Sequence, residues 1–171
     1  MPKNCYKLPR LNIQMRFNAA GEQRMYLDEE DVSSRIRMPE ISICASDVST
    51  LPVVRSYLLD MQRRMAKNSN VIMDGRDIGT VVLPKATVKI FLTASPEVRA
   101  KRRYNEYLAK GQKANYATIL KEIQQRDYQD THREIAPLKM ARDSIKVDTS
   151  EMTLDQVVSE IKRIISEKVS A

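Results

Sequence analysis

Residues 70–84, NVIMDGRDIGTVVLP, limit what this chain can fold into more than any other stretch. A short apolar run, Val71-Ile72-Met73, ends in Asp74-Gly75-Arg76-Asp77, and a second apolar run follows Gly79-Thr80. That order is expected of a buried strand that delivers charged groups at its carboxyl end, where open parallel sheets place their ligands. Two carboxylates flank one guanidinium there, and the glycines let backbone come close. A strand followed by an ordinary charged turn accounts for the same residues, so their meaning depends on the rest of the chain.

A chain of 171 residues is long enough for one domain with a real core. No apolar run approaches the roughly 20 residues of a membrane span, and the first residues, MPKNCYKLPR, lack the apolar centre of a secretory signal. A cytoplasmic location is expected. Cys5 and Cys44 have neither metal spacing nor a framework of pairs, so both are expected as thiols. The formal charge of +7, from 29 Lys and Arg against 22 Asp and Glu, calls for polyanionic partners. Tryptophan is absent and phenylalanine scarce, which argues against a stripe of stacking platforms for nucleic acid. A few arginines converging on phosphate from distant segments fit better.

Period-two alternation of Ile13, Met15 and Phe17 with Asn12, Gln14 and Arg16 predicts a strand. Ala19-Ala20-Gly21-Glu22 turns, and Met25 and Leu27 continue the alternation as a hairpin with one solvated face. The acidic run 28–31 reads as solvated surface. From Ser46 to Lys67 the period becomes helical, with Leu51, Val54, Leu58, Met61 and Met65 on one face, Pro52 in the first turn and Ser49 or Thr50 as cap. Residues 88–94 read as a strand covered on both faces. Ser95-Pro96-Glu97 then opens a helix carrying Arg99, Lys101, Arg102 and Arg103 that stops near Gly111. Such a basic face is equally that of a solvated helix.

A further helix, about 116–130, buries Ile119, Leu120 and Ile123. Arg126, Asp130 and Arg133 follow at spacings of four and three, which gives them one face if the helix persists. A surface ladder of salt bridges and a phosphate or ribose site both suit that spacing. His132, the single histidine, is read as a surface or supporting residue. Residues 144–149 predict a last short strand, and Thr153 with Gln156 forms a capping box for a helix with Leu154, Val157, Val158, Ile161, Ile164 and Ile165 inward. Strand and helix alternate from residue 50 onward, the pattern of an α/β fold with a parallel sheet.

Four separated motifs in register carry a resemblance. Cys44-Ala45-Ser46 through Leu51-Pro52-Val53-Val54-Arg55, Asp74-Gly75-Arg76-Asp77-Ile78-Gly79-Thr80-Val81-Val82, Lys89 to Ser95, and Arg126-Asp127-Tyr128-Gln129-Asp130-Thr131-His132-Arg133 before Ala136-Pro137-Leu138 resemble bacterial cytidylate kinases. The resemblance implies the fold of P-loop nucleoside monophosphate kinases. Residues 1–45 would form a small antiparallel lobe for the acceptor nucleotide, and 46–171 the remaining α/β core with a lid region at about 99–133. It implies transfer of the γ-phosphoryl of ATP, with Mg²⁺, to CMP or dCMP. Ser46, Arg55 and Asp77 would recognise cytosine, whose donors and acceptors a hydroxyl, a guanidinium and a carboxylate can match. Arg76, Arg126 and Arg133 would hold the acceptor phosphate and Asp130 the ribose. Arg99, Arg102 and Arg103 would begin the lid over ATP, and Asp74 would lie near the metal. The full-length enzyme is expected to be a monomer acting on free nucleotides, with neither membrane nor nucleic acid as partner.

One departure bears on this expectation. The four glycines, Gly21, Gly75, Gly79 and Gly111, form no G-x-x-x-x-G-K-S/T loop, the element that cradles phosphates in the family. The expectation is therefore a piece lacking the first strand, P-loop and first helix, inactive or incomplete as it stands. Two alternatives accompany it: a non-catalytic pyrimidine-nucleotide-binding module, and a basic RNA-binding protein.

Overall fold

The computed structural model describes residues 11–170, except the side chains of residues 39, 40, 42, 43 and 46. Cys5 lies outside the described residues, and Cys44 carries an exposed thiol. Two units divide between Val71 and Ile72, whereas the boundary expected at 45/46 falls inside a helix.

In the first unit the hairpin forms as its alternation dictates. Strands β1 (Ile13–Phe17) and β2 (Gln23–Leu27) pair antiparallel with Ile13 opposite Leu27 and Met15 opposite Met25. Asn18 organises the turn, its side-chain oxygen accepting from the backbone N–H groups of Ala20 and Glu22 at 3.0 and 2.8 Å. The acidic run is a correction to the sequence reading. Glu30–Asp31 forms a short third strand, β3, with Asp31 opposite Tyr26. The Asp31 carboxylate accepts from the Ser33 hydroxyl at 2.6 Å, the Ser33 N–H at 2.9 Å and Arg24 Nε at 2.9 Å. Three local donors outcompete water for it.

The helical period expected from Ser46 to Lys67 falls on two helices, the second opening with Pro52 in its first turn as expected. Helix α1 (Pro39–Val48) contains Ser46, and α2 (Pro52–Asn68) begins four residues after α1 ends. Leu51 is extended, as the residue before a proline prefers. Neither Ser49 nor Thr50 caps α2; the Thr50 hydroxyl donates back to the Asp47 carbonyl at 2.7 Å, closing α1. Tyr57 on α2 donates to the Leu11 carbonyl at 3.1 Å and ties down the approach to β1.

Residues 71–73, at the division between the units, are not the strand expected of them. No strand pairs with them among the described residues, and Ile72 is 97% exposed; an apolar run without a ladder partner has nothing to hold it as a strand. After the bend at 75–77 the chain makes a single π turn, Ile78–Val82, in which Val82 and Leu83 donate to the carbonyls of Asp77 and Ile78 at 3.2 and 2.7 Å. Such turns recur at functional sites.

Strands β4 (Ile90–Thr93) and β5 (Ile145–Asp148) pair parallel, Ile90 opposite Ile145 and Thr93 opposite Asp148. The mixed α/β class is therefore as expected. Coverage of β4 on both faces is not: Leu92 is 54% exposed, and among the described residues β4 also has a neighbour on one edge only.

Helices α3 (Pro96–Ala109) and α4 (Tyr116–His132) make the crossover. Ser95 caps α3 by accepting from the Val98 N–H at 3.2 Å. Gly111, at φ +70°, ends it with Gly111 and Gln112 donating to the carbonyls of Leu108 and Tyr107, the paired closure that a left-handed residue permits. Asn115 caps α4 by accepting from the Thr118 N–H at 3.0 Å. Ala100 of α3 is fully buried against Ile119 and Ile123 of α4, with Tyr104, Tyr107 and Leu120 around them. Helix α5 (Leu154–Val169) has both halves of its capping box, and Ile164 is buried. Leu154 and Val158, expected inward, are exposed; Leu154 sits in the first turn, at the margin of the apolar stripe that Ile164 centres.

Candidate functional site

Asp130 is the centre of a charged cluster in the second unit. Its side chain is 7% exposed and three guanidiniums approach it. Helical periodicity sets Arg126 one turn below, Nε 3.9 Å from Asp130 Oδ2. Arg133 stands where the chain leaves α4 in an extended conformation, its Nη1 3.7 Å from Asp130 Oδ1. The Arg133 Nε donates to the Ala136 carbonyl at 2.8 Å, and Ala136 has φ +48°. The Leu138 N–H donates to the Asp130 carbonyl at 2.7 Å, so the loop after α4 folds back on the cluster. Arg76, 54 residues earlier in the chain, donates from Nε to Asp130 Oδ2 at 2.9 Å.

Three guanidiniums against one carboxylate leave a formal charge of +2 on the cluster. Burial pushes the Arg126 guanidinium below its ordinary value, the charge of Arg76 pushes it further, and Asp130 opposes them. Like charges held together in part-buried positions are complementary to an anion with about two charges, and the planar fork of arginine suits phosphate oxygens. Gly75 precedes Arg76 because the bend is tight: a Cβ there would lie 2.9 Å from Ile78 Cγ1.

The spacing of Arg126, Asp130 and Arg133 thus gives one face, and Arg76 joins it. Asp77 heads the π turn, its carbonyl accepting from Val81 at 2.8 Å, and Asp74 is exposed just before the bend. In the first unit Ser46 belongs to α1, with its side chain outside the described residues, and Arg55 in the first turn of α2 donates to the Ser49 carbonyl at 3.1 Å.

The arginines of α3 turn into the protein. Arg99 donates from Nε to the Ala94 carbonyl at 3.0 Å and makes a bidentate pair with Asp127, one arm at 3.0 Å. Arg102 donates to the Thr149 hydroxyl and carbonyl at 3.2 and 2.5 Å and to the Met152 carbonyl at 3.3 Å. Arg103 donates to the Tyr107 hydroxyl at 2.9 Å. Sequence reading missed Asp127 and the buried Thr149. The one-turn offset of Arg99 from Arg103 hinted at an inward side of α3, but no local pattern names a partner 28 residues away. His132 stacks on Tyr128 with ring centres 4.0 Å apart, and its Nδ1 lies 2.9 Å from the Tyr128 carbonyl oxygen. That is a surface arrangement.

Residues 4–167 match the family model described as cytidylate kinase. The chain is 49% identical over 146 residues to a cytidylate kinase of Carboxydothermus hydrogenoformans, which covers 85% of this chain and 66% of that protein. It is 51% identical over 148 residues to one of Lactobacillus gasseri, covering 86% and 64%. A cytidylate kinase of Leuconostoc mesenteroides is 49% identical over 148 residues, covering 86% and 66%. The chain thus spans just under two thirds of the length of these relatives.

Proposed function

The chain belongs to the cytidylate kinase family, and from that premise we propose that it carries the acceptor side of a kinase that transfers the γ-phosphoryl of ATP to CMP or dCMP. The observation that carries this reading is the convergence of Arg76, Arg126 and Arg133 around Asp130. Those arginines hold the acceptor phosphate, Asp130 turns a carboxylate edge to the ribose hydroxyls, and Ser46, Arg55 and Asp77 select cytosine.

The nucleophile is a phosphate oxygen of CMP, already an anion at neutral pH. No general base is needed, which agrees with His132 engaged on Tyr128. The work of the site is to bring two polyanions together and hold charge as it spreads in an in-line transfer. Magnesium, when bound, neutralises charge on the donor phosphates. Among the described residues no three His, Cys, Asp or Glu side chains gather into a metal cage. This suits an ion that arrives with the nucleotide and takes one or two carboxylates from the protein, of which exposed Asp74 is the proposed one. The start of α3 belongs to the lid on the ATP side. Cytosol is the proposed compartment, and the protein is proposed to act as a monomer on free nucleotides.

Calorimetric titration with CMP, beside a coupled assay for ADP release with ATP, Mg²⁺ and CMP, tests the reading. Saturable CMP binding that weakens at least tenfold in Arg126→Ala, with the melting temperature nearly unchanged, is the expected result. CMP binding without turnover supports the acceptor module alone, whereas no CMP binding with tight, salt-sensitive RNA binding overturns the proposal. Arg126 is a cleaner target than Arg133, whose hydrogen bond to Ala136 also holds the loop.

A further inference from the structure

The apolar contact between α3 and α4 reaches only part of α4. Ala100, Tyr104 and Tyr107 meet Ile119, Leu120 and Ile123, so packing fixes the amino-terminal half, whereas Arg126, Asp130 and Arg133 lie beyond it. Past Ile123, among the described residues, the bidentate pair of Arg99 with Asp127 ties the two helices. Arg99 is itself anchored, because its Nε donates to the Ala94 carbonyl just past the carboxyl end of β4. The chain of contacts therefore runs from the sheet through one guanidinium to the half of α4 that bears the anion cluster.

We propose that Arg99 and Asp127 are a positioning pair for the acceptor site, setting the rotation of α4 so that Arg126 and Asp130 face Arg76. The inference rests on the acceptor-site reading above. On a helix Arg126 and Asp130 lie about 100° and about 60° round the axis from Asp127, both on the same side. With a helix radius of about 5–6 Å, a rotation of about 20° moves their side chains about 2 Å. Displacements of about 1 Å can cost about a hundredfold in an oriented site. Among the described residues, this half of α4 is also held by the Leu138 N–H on the Asp130 carbonyl and by Arg76 on the Asp130 carboxylate. Both act at Asp130, one turn beyond Asp127, and so add to the pair's hold on the helix rotation. Bidentate geometry resists that rotation, since both arms must break together.

The test uses the full chain and two readouts. Amide hydrogen exchange is followed in wild type, Arg99→Ala, Asp127→Asn and Asp127→Glu, which keeps a carboxylate for Arg99 and leaves its bond to Ala94 intact, and CMP is titrated into each by calorimetry. Arg99→Ala and Asp127→Asn are each expected to speed exchange at residues 126–132 at least tenfold while 116–123 stay as in wild type. CMP affinity is expected to fall about tenfold in both, and Asp127→Glu to retain most of both. Unchanged exchange at 126–132 in Asp127→Asn overturns the pair whatever CMP does, as does Asp127→Glu no better than Asp127→Asn. Wild type that does not bind CMP, with the exchange pattern as expected, overturns the acceptor reading and leaves α4 held by this pair.

Discussion

Asp130 holds three like charges in place, so removing it should be felt in folding before chemistry. Taking one partner from a buried ion pair costs about 3–5 kcal/mol; Arg76 and Arg126 keep roughly 40% of their side-chain surface, which lets water screen part of that. Asp130→Ala is therefore expected to lower unfolding free energy by about 2 kcal/mol in urea titration. Inorganic phosphate should restore some of it by supplying the missing negative charge. Gly75→Ala is expected to cost about 1–3 kcal/mol through overpacking against Ile78 and to weaken CMP binding, because the bend that aims Arg76 must open. At this scale the sequence was informative where spacing alone decides geometry: Arg126, Asp130 and Arg133 share a face because four and three residues are one turn. It was mute on Arg99 with Asp127, since nothing local separates an arginine aimed at a phosphate from one aimed at a neighbouring helix.

Elements with their own stop and start signals were legible. Ser95-Pro96-Glu97, Asn115 and the box of Thr153 with Gln156 each begin a helix where they should, and Thr153→Ala should cost about 1 kcal/mol by chemical denaturation. Elements that depend on neighbours were not. Val71-Ile72-Met73 has strand composition without a strand beside it among the described residues, and Ser46, at the edge of the helical period, belongs to a separate helix, α1. The acidic run became β3 because Ser33 and Arg24 bond to Asp31, which holds its carboxyl down at about 2, the Ser33 hydroxyl contributing most. A depressed folded value means that these bonds stabilise the lobe above the ordinary carboxylate range, near 3.8, and are lost as pH falls toward 2. Circular dichroism of the hairpin should hold from pH 7 to about 4 and decline below it. Ser33→Ala should begin that decline at higher pH.

At the scale of the whole molecule the chain carries an excess of seven positive charges, and several of its cations are already matched locally. Arg163 is matched by Glu160 and Glu167, Lys110 by Glu106, and Lys89 by Asp143. A part-buried cluster of three arginines is screened by salt much less than an open basic surface. CMP affinity should fall only a few-fold between 50 and 200 mM salt, whereas a single-stranded RNA probe neutralising several charges would lose about a hundredfold or more. Equal slopes for the two ligands would point to general electrostatic attraction instead of a site.

The parallel register of Ile90 with Ile145 also sets an order of events in time. Joining strands 55 positions apart carries a closure cost of about 3.5 kcal/mol on a logarithmic scale, while the α3–α4 hairpin inside that span needs only local contacts. The hairpin should therefore form early and the strands should zip late. Arg76 and Asp130, nearly as far apart in the chain, carry a closure cost of the same size, so their contact is also expected late. In a refolding experiment helix signal should rise in a fast phase, and the ability to bind CMP should appear only with the slow one.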